Sequence, residues 1–153
     1  MERGDSVMLR CLIMVSFVLL ALWPAAAVAE RTVVLVTNER CPVTDLSNLQ
    51  IRKSYLGVAV SVDGHGIRPM RLTVDQELNQ VFYQAIVSMS KKSYERRALS
   101  LAIKFGTPRP RELSSLEEAF DALQEETCAV IFLWGNDAAT YEDGKTIRVL
   151  WRG

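Results

Sequence analysis

The sequence is poor in the residues from which reactive sites are most often built. Its 153 residues contain one histidine, His65, and three cysteines, Cys11, Cys41 and Cys128. There is no Cys-x-x-Cys pair and no second histidine, so a zinc site lacks its donors. A G-x-S-x-G elbow and a Walker-type phosphate loop are both missing. Ser88, Ser90 and Ser93 have no base near them in sequence, and Glu117-Glu118 and Glu125-Glu126 read as solvent-facing carboxylates on or beside one helix. Neither catalysis nor a cofactor is expected. Charge of one sign is also lacking: 18 Lys and Arg balance 18 Asp and Glu, for a formal net charge of 0. Without a basic excess or a polybasic run, binding to nucleic acid or to a membrane surface has no electrostatic footprint.

Long hydrophobic runs are few. The one at 11–23 follows Arg3 and Arg10 and precedes Ala27-Val28-Ala29. A short apolar run behind basic residues, closed by small ones, is the pattern of a secretory signal, with cleavage expected between Ala29 and Glu30. The run falls short of the ~20 residues that a membrane-spanning helix needs. The expectation is a soluble exported protein, periplasmic if the source is a Gram-negative bacterium, with 1–29 as signal peptide and 30–153 as one domain. Cys41 and Cys128 remain after cleavage, in an oxidising compartment. The pair is open to a disulfide, which would contribute about 2–4 kcal/mol by closing a long loop, or to two unpaired thiols.

Along the rest of the chain, helix and strand periods alternate. TVVLVT at 32–37 reads as a strand buried on both faces. Thr44 or Asp45 can cap a helix running to about Tyr55, with Leu46, Leu49 and Leu56 among its apolar positions and Gly57 at its end. Strands at 58–62 and 67–74 flank Asp63-Gly64-His65-Gly66, which reads as a hairpin loop with His65 as a solvated tip residue. A helix from about Lys92 carries Tyr94, Ala98, Leu101, Ala102 and Phe105 as its apolar stripe. Its remaining surface is basic through Lys91, Lys92, Arg96, Arg97 and Lys104, which fits either a solvated face or an acidic partner. Pro108 and Pro110 break that helix. Ser114 with Glu117, and Ser115 with Glu118, offer capping boxes for a helix that buries Leu116, Ala119, Phe120 and Leu123. CAVIFLW at 128–134 reads as a second buried strand, 135–144 as a polar loop and 146–151 as a last strand.

Between the hairpin and the basic helix lies RLTVDQELNQVFYQAIVSM at 71–89, an extended segment leading into an amphipathic helix. Thr73 and Gln76 match a capping box, and Leu78, Val81, Phe82, Ala85, Ile86 and Met89 recur at helical spacing. A strand that delivers the chain to a helix N-terminus is a common place to hold an anion.

The order of these pieces resembles part of the phosphate-transporter family of periplasmic substrate-binding proteins. Ile51 with Tyr55-Leu56-Gly57 is similar to the family's Ile-Phe-Leu-Gly-like helix end. Gly64, Gly66 and Pro69 are similar to the hairpin and proline before its ligand loop, and Phe105-Gly106 to its Phe-x-Gly-like turn. Ser115 to Glu118, followed by Ala129-Val130-Ile131-Phe132, resembles its Ser-x-x-Glu helix and Ala-Ile-Gly-Tyr-like strand. The resemblance implies an α/β fold, a single binding-protein-like lobe of type II with a mixed sheet flanked by helices. Full members of the family have two lobes.

It also implies a non-catalytic role in recognising phosphate or a related small oxyanion for transport or sensing. The implied ligand set is Arg71, Thr73, Asp75 and Gln76 at the helix N-terminus, with Thr37 and Asn38 after the first strand. The sequence departs from the family in this loop, which is otherwise rich in Ser, Gly and Thr. Residues 71–76 include no glycine, Val74 is bulky, and Asp75 puts a negative charge in the first helical turn. The alternative is a degenerate site on a domain that docks onto a membrane sensor, porin or transporter component. A homodimer fits either reading.

Overall fold

Apolar, β-branched runs place the sheet, and capping residues divide the helices between its strands. The computed structural model describes residues 31–142 and 147–153. The expected leader, with its Ala29–Glu30 junction, lies outside the described residues. The chain runs β1 (Val33–Asn38), α1 (Asn48–Tyr55), β2 (Ser61–Val62), β3 (His65–Gly66), β4 (Arg68–Leu72), α2 (Gln76–Val81), a π-helical turn (Phe82–Ile86) and α3 (Lys91–Phe105). It continues through β5 (Arg111–Leu113), α4 (Leu116–Glu125), β6 (Ala129–Trp134), α5 (Gly135–Glu142) and β7 (Ile147–Arg152).

Five strands form one mixed sheet in the order β5-β4-β6-β1-β7, and β2 and β3 form a separate hairpin. β4 runs parallel to β5 and β6, whereas β1 is antiparallel to β6 and β7. Every residue of β1 and β6 is buried, as expected of central strands without polar alternation. Side chains alternate across a sheet, and both faces are covered: Phe132 and Arg71 are buried on one, Ile131 and Met70 on the other. Each large aliphatic side chain so enclosed contributes about 1.5–3 kcal/mol. Cys41 and Cys128 form a disulfide that ties the turn after β1 to the start of β6.

Several local expectations need correction. α1 begins at Asn48, not after Thr44 or Asp45. Ser47 caps it through a reciprocal box with Gln50, which satisfies two end groups at once. Leu49 consequently points outward and is exposed. The hairpin turn is the dipeptide Asp63-Gly64, with φ of 51° and 81°, so His65 lies on β3, exposed, just past the tip. Ser115 caps α4 by accepting from the Glu118 N–H, but the Glu118 carboxylate reaches the N–H and hydroxyl of Ser114. The polar stretch after β6 is α5, held by the buried Ala138.

The stripe in 71–89 changes phase at the π turn. One extra residue per turn brings Tyr83 and Val87 inward and turns Ala85 out to solvent. Of the stripe expected on α3, only Tyr94 is fully buried, while Phe105 is 73% exposed at the end of the helix, where Gly106 turns the chain with a φ of 63°.

Candidate functional site

Arg71 is the most unusual charge in the domain. It lies on β4, and its side chain is only 6% exposed. Its guanidinium carbon sits 4.6 Å from the ring centroid of Phe82, 5.1 Å from Tyr94 and 5.2 Å from Tyr83. A weakly hydrated, planar cation tolerates burial when aromatic faces surround it and its N–H groups find acceptors. Here Nη2 donates to the Tyr83 hydroxyl at 2.8 Å and to Asn79 Oδ1 at 3.1 Å. Nη1 faces Glu112 at 3.5 Å and Glu95 at 3.9 Å. Glu112 is the register partner of Arg71 across the parallel β4–β5 pair, which explains their meeting.

The mouth of α2 is closed by its own side chains. Asp75, not Thr73, is the N-cap: its Oδ1 accepts from the Leu78 N–H at 3.0 Å and its Oδ2 from the Trp134 indole N–H at 2.7 Å. Burial pushes the Asp75 carboxyl up, yet these hydrogen bonds outweigh it and hold the group below its ordinary value. The Thr73–Gln76 box does not form. Two residues separate Thr73 from the helix, and its hydroxyl donates to the Leu113 carbonyl at 3.2 Å. The Asn79 amide donates to the carbonyls of Thr73 and Asp75 at 3.0 and 2.7 Å, bracing the loop from inside. Gln76 is exposed on the first turn.

Thr37 and Asn38 are fully buried at the end of β1, where both serve the backbone. Thr37 Oγ1 donates to the Ala129 carbonyl at 2.6 Å, and Asn38 Nδ2 to the Leu123 carbonyl at 2.7 Å. Arg71, Thr73 and Asp75 are thus brought near one another, while Thr37 and Asn38 stand apart from them in the β1–β6 region.

The open feature beside Arg71 is a cleft of about 190 Å³ between α3 and the β5 edge, lined by Arg71, Tyr94, Glu95, Arg109, Pro110 and Glu112. Its charges balance: Arg109 lies 3.8 Å from Glu95, which also faces Arg71. Burial pushes the Tyr94 hydroxyl up to about 12, against the lowering effect of Arg71. Sequence reasoning missed Glu95, Arg109 and Glu112. They meet only through the β4–β5 pairing and the α3 docking, and no local spacing signals either. Among the described residues, no group of three or more His, Cys, Asp or Glu side chains is placed to hold a metal ion.

No protein-family model and no curated protein matches the sequence. Among solved structures, the fold is similar to a protein described as a phosphate ABC transporter substrate-binding protein from Clostridium perfringens, with bound phosphate. That match has a TM-score of 0.51 and 14% identity, and covers 78% of this chain and 54% of the other. A second similar structure is an ABC-type phosphate transport receptor from Vibrio cholerae, with a TM-score of 0.47, 15% identity, and coverage of 78% and 46%. The chain spans about half the length of these structures. At such identity the first likeness concerns the fold alone. The domain is an α/β fold, its mixed sheet flanked by helices, and it is similar in fold to part of that substrate-binding protein.

Proposed function

We propose that this protein is an exported, non-catalytic, binding-protein-like domain that works by docking onto a protein partner, such as a membrane sensor, porin or transporter component. The observation that carries the reading is the state of Arg71. Its donors already engage Asn79 and Tyr83, and two carboxylates face it. An oxyanion entering there must displace Glu95 and Glu112 or endure their repulsion. Asp75 likewise takes up the Leu78 N–H that the helix end would otherwise offer. Recognition without chemistry suits a fold shared with a phosphate substrate-binding protein. Export rests on the leader at 1–29, and N-terminal sequencing of the secreted form is expected to begin at Glu30.

One observation favours a second reading, recognition of phosphate or a related oxyanion: Arg71 and the half-exposed Arg109 line the same cleft. Calorimetric titration with phosphate and sulfate separates the two. Docking predicts no heat and no thermal shift at millimolar anion. Micromolar binding, lost in an Arg109→Ala variant of unchanged melting temperature, establishes the oxyanion reading in its place.

A further inference from the structure

We infer that the outward stripe of α3 is the docking surface, and that its partner is a protein presenting an apolar groove rimmed by carboxylates. This rests on the docking reading and adds the surface and the chemistry of the partner. Lys92, Arg96, Leu99 and Ile103 follow one another at i, i+4, i+7 and i+11, which puts them on one face of a 15-residue helix. All four are exposed, Leu99 at 48% and Ile103 at 76%. Tyr94, Ala98, Leu101 and Ala102, on the inward side, are buried or half-buried.

Folding alone does not account for this stripe. Lys91 and Lys92 occupy the first turn, where the positive end of the helix dipole disfavours cations, and no acidic residue there offsets them. Among the described residues, none of the five basic side chains of α3 makes an ion pair. Elsewhere Arg31, Arg68, Arg71, Arg109 and Arg111 are ion-paired and Arg40 and Arg148 donate to backbone carbonyls, whereas Arg52, Lys53 and Arg152 share the unpaired state of the α3 cations. Two aliphatic side chains beside unneutralised cations complement a groove that is apolar along its floor and acidic at its rim, the arrangement by which an amphipathic helix is held. A lipid surface is the poorer fit, because the stripe has no aromatic residue to anchor in an interface.

The test is site-specific photocrosslinking of the full-length protein in the cell that makes it. A benzophenone amino acid replaces Ile103 or, as the control site on α1, Leu49. The expected result is a discrete protein adduct from Ile103 whose crosslinked peptide is rich in Asp and Glu. Its yield should fall at least about tenfold in a Lys92→Glu/Arg96→Glu variant that melts like the parent. Adducts from Leu49 with none from Ile103 overturn the surface and leave docking standing. An Ile103 adduct to lipid, to a second copy of this chain or to a peptide without acidic excess overturns the proposed partner. No adduct from either site overturns the docking reading itself.

Discussion

The indole N–H of Trp134, the last residue of β6, donates a 2.7 Å hydrogen bond to Asp75 Oδ2, the cap of α2. A side chain at the end of a central strand thereby fixes the entry of the helix, and the Asp75 carboxylate accepts from both the strand and the helix. Asp75→Ala loses both the cap and this bond and is expected to cost about 1–2 kcal/mol. Asp75→Asn can still cap, but its amide must present N–H to the indole N–H, for a loss of about 1 kcal/mol. The pH dependence follows from the lowered folded-state pKa. The stabilisation is fully present above the ordinary carboxylate value of 3.8 and is lost as pH falls through the lower folded value. Urea midpoints of parent and Asp75→Asn should therefore differ at pH 7 and converge in acid. An unchanging gap removes the linkage.

Arg71 acts as a structural hub whatever it binds. Arg71→Ala removes the cation shared by three rings and opens a cavity among them, for an expected loss of about 3 kcal/mol. Arg71→Met keeps part of the stem packing but leaves Tyr83 and Asn79 without their donor, for about 1–2 kcal/mol. Glu95 and Glu112 are 40% and 62% exposed, so water can solvate them once Arg71 is gone. Chemical denaturation of both variants measures the two losses. Equal stability of Arg71→Ala and the parent contradicts the hub.

Much of the fold was legible because its signals are local. β1 and β6 announce themselves as uninterrupted apolar runs, Gly57 and Gly106 stop helices, and the glycine-bearing stretch at 63–66 marks a hairpin, although the turn itself is only Asp63-Gly64. What escaped depends on pairing at a distance. β5 is three residues long and exists because Met70, Arg71 and Leu72 offer it a parallel partner. α5 has a polar sequence and is held through Ala138. The π turn shifts the burial phase by one residue, and no apolar period of 3.6 can encode that. At the candidate site, Arg71, Thr73 and Asp75 lie near one another because they are close in sequence, with Asn79 bonded to all three segments. Their occupation by Leu113, Trp134 and Glu112 comes from other strands.

The Cys41–Cys128 bridge spans a sequence separation of 87 residues. A loop of that length makes the unfolded chain much less free, and a Cys41→Ala/Cys128→Ala variant is expected to lose about 2–5 kcal/mol. Reduction of the parent should lower its urea midpoint by a similar amount, and the double variant should not respond to reductant. A reductant-sensitive midpoint in the variant contradicts this.

Tyr94 joins the buried rings to α1. Its hydroxyl donates to the carbonyl of Tyr55 at 2.9 Å, and burial pushes its pKa up to about 12 from an ordinary 10.0. Burial also raises the Tyr55 hydroxyl well above its ordinary value, with Tyr94 adding to the rise. Because the folded protein holds these protons more tightly, the associated stability is fully present below about pH 10. It is lost as pH rises toward the folded values. Two of the four tyrosines should therefore ionise late in an ultraviolet titration, together with alkaline unfolding. Tyr94→Phe removes one late hydroxyl and leaves the Tyr55 carbonyl short of a donor. It should cost about 1–1.5 kcal/mol at neutral pH and weaken the alkaline loss, because one of the two linked groups is gone. Ionisation of all the hydroxyls in a single step near 10 would show that neither ring is shielded as the geometry requires.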